Sequence, residues 1–268
     1  MTTRERFAKY LAVTLAVVIV LSVVSASVSS VVGIVRFAKE KKEERRRAAS
    51  GGIAAFTDLE GLHSLSLSPG DAELEIREGE SAALSYYEDA FTVSFKDGVL
   101  TLSPVPGIWD GAKPVVLTLP KGMELDAAAV YARGSVRIDA LYADSLTLSL
   151  DGDAEIGALT AFSSAYLETG AGAVRISGGY LNALTLNGGA GGVTLVSTLT
   201  GESALVSGGG KIEARLVGLP EDYGFFVSGD KVRINTVPVD PAAYGGGNAK
   251  VALNGEAGPI TVTIETAK

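Results

Sequence analysis

Along residues 130–215 apolar and polar positions alternate in short runs, and the runs recur at a fixed interval. Leu148, Leu167, Leu186 and Leu205 stand 19 residues apart each time. A second apolar marker follows at Ile138, Ile156, Ile176, Leu195 and Ala214, with spacings of 18, 20, 19 and 19. Between the two markers each repeat carries a turn rich in small residues, such as Asp151-Gly152-Asp153 or Gly188-Gly189-Ala190-Gly191-Gly192. Strict alternation predicts strands with one buried face. A fixed period of this size predicts units that stack and bury their apolar faces on one another. The expected fold is therefore all-β: a single-stack β-solenoid of about 19 residues per coil and two short strands per coil.

Alternation continues on both flanks without the period. Residues 63–67, 72–76, 83–87, 91–95 and 99–102 read as strands, parted by turns such as Lys96-Asp97-Gly98, and 115–119 starts the regular part. Beyond Arg215 the runs 225–228, 231–235, 249–253 and 260–264 read likewise. Terminal repeats must close an open edge, so both irregular ends are expected to be caps. A solenoid domain over 53–268 would hold about 11 coil-equivalents and measure roughly 50 Å at the strand spacing.

The N-terminal part has a different pattern. Residues 1–10 are short and charged, and 11–35 run 25 residues without a charge, long enough to span a bilayer as a helix. Apolar residues continue past Val28 to Val35, beyond the usual apolar core of a cleaved signal, so an uncleaved transmembrane helix is expected. Residues 36–52 form a basic stalk ending in a Gly hinge. Three basic residues precede the helix and seven follow it, a count that puts the C-terminal side in the cytoplasm. Large translocated domains escape that rule, and the expectation adopted is a single-pass cell-membrane protein with its solenoid extracytoplasmic.

Val115-Val116-Leu117-Thr118-Leu119-Pro120, Gly134-Ser135-Val136-Arg137-Ile138 and the repeated Leu-x-x-x-Gly-x-Gly-x-Val-x-Ile runs carry a resemblance. Together with the closing segment from Gly245 to Ile264, they resemble the bacterial putative-adhesin family of membrane-anchored β-strand-repeat proteins. The resemblance spans roughly residues 56–266. It implies a strand-repeat fold, a membrane setting and an adhesive role, and no catalytic motif. The Gly-Gly-Ala-Gly-Gly and Gly-Gly-Gly turns depart from the single Ser-Gly turns usual in that family.

Charge narrows the partners. Residues 1–50 hold ten basic and four acidic residues; 51–268 hold 13 basic and 27 acidic, a net of −14 within a whole-chain −8. A domain of that sign repels phosphate backbones, so no nucleic-acid partner is expected. The chain has no Cys, which removes disulfides, thiolate metal sites and a Cys nucleophile.

Candidate chemistry is sparse. Gly188–Gly192 invites a phosphate-loop reading, but a strand follows it where a helix is required. Asp151 and Asp153 could suggest Ca²⁺, yet no Asp recurs at that offset in the next turns. His63 is the sole His and has no zinc or triad context. Glu155, Arg175, Thr194 and Glu213 fall in one register, which predicts an ion-pair ladder on the solvent face. Tyr86, Tyr87, Tyr131, Tyr142, Tyr166, Tyr180 and Trp109 could supply partner or sugar contacts, with Tyr142 and Tyr180 along one edge.

No catalytic, cofactor-binding or metal residue is assigned. The expected function is that of a non-enzymatic, membrane-anchored envelope protein, a structural or adhesin-like interaction rod. Its partners would be the membrane and a protein or cell-wall carbohydrate. The alternatives are a regulatory or sensing component of an envelope-stress system, and a β-helix enzyme acting on cell-wall polysaccharide.

Overall fold

The computed structural model describes residues 52–108 and 113–266. The expected transmembrane helix over 11–35, the stalk before Gly52 and Trp109 lie outside the described residues. Among those described, no helix is long and apolar enough to cross a membrane, and the one helical turn is Pro220–Asp222. The fold is all-β.

The 19-residue period is realised as parallel pairing. Val136–Leu150 runs alongside Ala154–Thr169 with Ile138 opposite Ile156 and Leu148 opposite Leu167. The pairing then steps through Leu186 to Leu205, and through Ile176 and Leu195 to Ala214. Each marker thus sits on its own copy one level away. Leu148, Leu167, Leu186 and Leu205 are at most 1% exposed and form one continuous column. Burying each Leu contributes about 1.5–3 kcal/mol.

Following the first column outward counts the levels. In spatial order it reads Leu102, Leu67, Val130, Leu148, Leu167, Leu186, Leu205, Leu253 and Val227, nine levels among the described residues. The sequence predicts about 11. The difference lies in the ends, where residues expected to add coils form antiparallel covers. Ala83–Tyr87 pairs antiparallel with Val115–Pro120, and Ile53–Phe56 adds beyond it. Phe91–Lys96 covers Val99–Pro104. At the other end Ala243–Tyr244 and Val237–Pro238 cover Tyr223–Ser228 and Val232–Ile234. Covering the last ladder in this way blunts an edge that could otherwise pair with another chain. Near the first cover, Lys113 Nζ lies 2.6 Å from Asp89 Oδ2 and 5.8 Å from the centre of the Tyr87 ring.

The order of levels is not the order of the chain. Ser64–Gly70, early in the sequence, lies between Val99–Pro104 and Glu124–Ala132. Ala249–Asn254, near the other end, lies between Glu202–Ser207 and Tyr223–Ser228. Apart from the cover strand Ile53–Phe56, the first and last parts of the domain are therefore inserted one level in, and a more central piece of chain makes the outermost level.

A second departure concerns the repeat itself. Two strands per coil are expected, but the central levels have a third paired stretch. Leu125, Ala143, Ala161, Leu181 and Leu199 form its buried column. In the levels of Ala140–Ala143 and Ala158–Ala161 alanine stands at both buried and flanking positions, so the alternation there is too weakly apolar to read as a strand.

The glycines of the first corner are required by close approach. A Cβ on Gly152 would overlap the carbonyl of Gly134; on Gly172, that of Gly152; on Gly191, that of Gly172; on Gly210, that of Gly191. The corner backbones stack directly, and hydrogen bonds such as Gly191 N–H to Gly170 O at 3.0 Å and Gly210 N–H to Gly189 O at 2.9 Å continue the ladder around it.

Candidate functional site

The buried columns fix what each outward face presents. Between the Leu-column residues, the facing outward positions Thr101, Ser66, Ala129, Thr147, Tyr166, Thr185, Ala204, Ala252 and Phe226 stack without a single charge. Beside the Ile column the outward positions are Glu75, Arg137, Glu155, Arg175, Thr194, Glu213, Thr261 and Arg233. One outward column is neutral and the column beside the Ile markers is alternately charged.

The charged register is as the sequence predicts, but the ladder of ion pairs is not formed. Among the described residues no ion pair joins Glu155 to Arg137 or Arg175. Arg137 instead reaches Asp139 at 3.9 Å on its own strand, and Lys211 pairs with Glu213 in the same way. Neighbours in a parallel register extend side by side into water, where an exposed pair contributes little.

The third stretch gathers the aromatic and hydroxyl groups. Glu124, Tyr142, Thr160, Tyr180 and Thr198 form its outward column, which brings Tyr142 and Tyr180 onto one edge as expected. Thr200 Oγ1 lies 2.8 Å from the Tyr180 hydroxyl and 3.2 Å from Asn182 Oδ1. Asn182 Nδ2 donates to the Phe162 carbonyl at 2.9 Å, and Ser163 Oγ to Asp144 at 2.5 Å. Phe162 and Tyr180 remain 43% and 36% exposed. Exposed rings set among fixed hydroxyl, amide and carboxylate groups have the make-up of a contact surface.

Sequence reasoning missed Phe162, Asn182 and Thr200. Phe162 sits at an irregularity of register between Ala161 and Ser164, and so falls outside any periodic count. The available signal was the alternating Thr198 and Thr200 one period beyond Tyr180 and Asn182.

The other candidates have structural employment. Gly188–Gly192 is a corner leading into Val193–Thr200. Asp151 Oδ1 accepts from Ala171 N at 3.2 Å, and Asp153 Oδ1 from Ala173 N at 2.8 Å, so both carboxylates hold the next level. His63 Nε2 donates to the Asp97 carbonyl at 3.0 Å, while Nδ1 lies 3.1 Å from Ser64 Oγ and 3.2 Å from Asp126. That pins the Asp97-Gly98 turn to a neighbouring strand. Tyr86 and Tyr87 pack against the core of the first cap; Tyr131 and Tyr166 are exposed, and Asn187 Nδ2 donates to the Tyr166 hydroxyl at 3.3 Å.

No protein-family model matches the chain, and no curated protein does. Solved structures do. A putative adhesin from Bacteroides fragilis aligns at 13% identity and a TM-score of 0.41, over 81% of this chain and 98% of that one. One from Parabacteroides distasonis gives 13%, 0.39, 81% and 98%. A putative cell adhesion protein from Clostridium sporogenes gives 13%, 0.36, 81% and 100%. Over about four-fifths of its length the chain is thus similar to solved structures described as putative adhesins or as a putative cell adhesion protein.

Proposed function

We propose that residues 53–268 form a single-stack β-solenoid that works as a non-enzymatic interaction rod of the cell envelope, tethered by a transmembrane helix over 11–35. The observation that carries this reading is the Leu column, in register over nine levels, which sets the outward positions beside it at a fixed spacing. At about 4.8 Å per level the rod is about 40 Å long. Such a scaffold presents repeated surface at low conformational cost to a partner. The column through Tyr142 and Tyr180, with Phe162 beside it, offers the contact surface, and an extracellular protein or cell-wall carbohydrate is the partner class. A net of −14 over 51–268 keeps the rod soluble and apart from its own copies.

The test is protease shaving of intact cells expressing the full chain with a C-terminal tag. Loss of the tag without lysis is the expected result. Protection until lysis places the rod in the cytoplasm and removes the surface role.

A further inference from the structure

The acidic domain contains a notch of the opposite sign. It has a volume of about 460 Å³ and lies on the charged column, across levels seven to nine. Three strands build it. The hydrogen bonds from Ile212 N to Pro259 O and from Ile260 N to Lys231 O, both 2.9 Å, place Lys211, Pro259 and Lys231 in one column. The adjoining column is Glu213, Thr261 and Arg233. Cationic residues thus occupy the two outer rows, and the middle row has no charge, only the ring of Pro259 and the hydroxyl of Thr261. Pro238, opposite Arg233 on the covering strand, walls the open side.

Two of the three cations, Lys231 and Arg233, are not cancelled. Lys231 Nζ lies 3.2 and 3.4 Å from the carbonyl oxygens of Glu256 and Ala257, contacts that position the ammonium and leave its charge. Arg233 has no carboxylate within ion-pair distance among the described residues. Lys211 is paired with Glu213, and Asp230 is the one acidic residue of the lining, opposed by three basic ones. The Glu213 carboxyl is held below its usual range chiefly by the Lys211 hydrogen bond; burial, the next influence, opposes this, and the charges of Lys211, Arg215 and Arg175 add to the lowering. Glu213 is therefore ionised and neutralises Lys211, which leaves Lys231 and Arg233 as the open cations of the notch.

We propose that the notch formed by Lys211, Lys231, Arg233 and Thr261 binds a linear polyanion, a chain bearing successive phosphate or carboxylate groups. The Lys231–Arg233 row offers two unopposed charges to one group, and two levels away, about 10 Å, Lys211 can turn from Glu213 to meet the next group of the chain across the neutral middle row. Arg233 supplies a planar donor fork suited to an oxyanion and Lys231 a point charge. The site lies away from the Tyr142–Tyr180 column and goes beyond the interaction role argued above. Its test is independent of the side of the membrane that the domain occupies.

The experiment is calorimetric titration of the purified full chain in neutral detergent with two probes, tripolyphosphate and trigalacturonate. Saturable binding of one probe is expected, and which one binds assigns the group as phosphate or carboxylate. Arg233→Glu should weaken it at least tenfold, and Arg233→Gln, which removes the charge without adding one, should weaken it to a smaller degree. Lys121→Glu, at the opposite end of the stack, should bind as the parent does. The proposal is overturned if neither probe binds, if both Arg233 variants bind like the parent, or if Lys121→Glu weakens binding as much. Should Arg233→Glu fail to fold, the Gln variant decides.

Discussion

Leu253 pairs in register with Leu205 across 48 residues of sequence, where the repeat sets neighbours 19 apart. On its other side it pairs with Val227, which precedes it by 26 residues. Level eight is thus built from later chain than level nine. A truncation after Asn248 should remove the ladder partner of Tyr223–Ser228 as well as the deleted strands. Hydrogen exchange is expected to show protection lost through 223–234 while 146–195 stays protected. Retained protection over 223–228 would mean that these residues pair directly with level seven, against the register described.

The Leu column carries a second prediction. Leu186 is fully buried between Leu167 and Leu205. Leu186→Ala should cost about 2–5 kcal/mol, as buried Leu truncations do. Leu186→Asp places an unpaired charge in the same site and should unfold the neighbouring levels. Thermal melts followed by circular dichroism measure both, and an unchanged midpoint for the Asp variant would refute the column.

Two adjacent glycines separate corner geometry from composition. A Cβ on Gly191 would overlap the Gly172 carbonyl, whereas one on Gly192 meets only the Lys211 carbonyl at an ordinary 3.8 Å. Gly191→Ala should destabilise by about 1–3 kcal/mol through overpacking. Gly192→Ala should stay within about 0.5 kcal/mol of the parent. Equal effects in denaturant titrations would show that the corner does not stack as closely as described.

Alkaline stability should depend on Tyr223. Its side chain is 1% exposed, and its hydroxyl donates to the Val217 carbonyl at 2.7 Å. Burial, the largest influence, pushes the phenol above its usual value. The folded state therefore holds this proton more tightly than the unfolded chain does. The resulting stability is present below the unfolded value of about 10 and is lost as pH rises through the higher folded value. Tyr223→Phe should flatten the loss of stability above about pH 10 while lowering stability at pH 7 by about 1 kcal/mol for the missing hydrogen bond. Denaturation at a series of pH values reads both effects, and an unaltered alkaline slope would contradict the assignment.

The regular levels were legible because every copy of a marker must lie on the previous copy. A period of 19 in Leu148, Leu167, Leu186 and Leu205 therefore maps directly onto a parallel ladder. The third paired stretch was hidden, since Ala140, Ala143, Ala158 and Ala161 give little contrast between buried and exposed positions. The strands of both ends were visible in outline, but their order was not. Nothing local in Ala249–Asn254 states that it pairs with Glu202–Ser207, because that choice depends on which edge is open once the other levels exist. The contact surface was half legible: Tyr142 and Tyr180 share a phase of the repeat, whereas Phe162 lies at a register irregularity. The cationic notch was invisible for the same reason as the end order, since Lys211 and Lys231 meet only through the inserted level.

The inserted levels also govern how the domain bears tension. A pull on the C-terminus is applied first to Ile260–Glu265, which is hydrogen-bonded to Ile212–Val217 on one side and Val232–Ile234 on the other. A pull from the N-terminal side passes through Ile53–Phe56 to Ser64–Gly70, which is likewise held on both sides. An outermost strand could peel away one bond at a time, but a strand clamped between two others has to slide along both at once. Stretched from its two ends, the domain should shed the edge strand Ile53–Phe56, which is paired on one side only, and then give way abruptly as one mechanical unit.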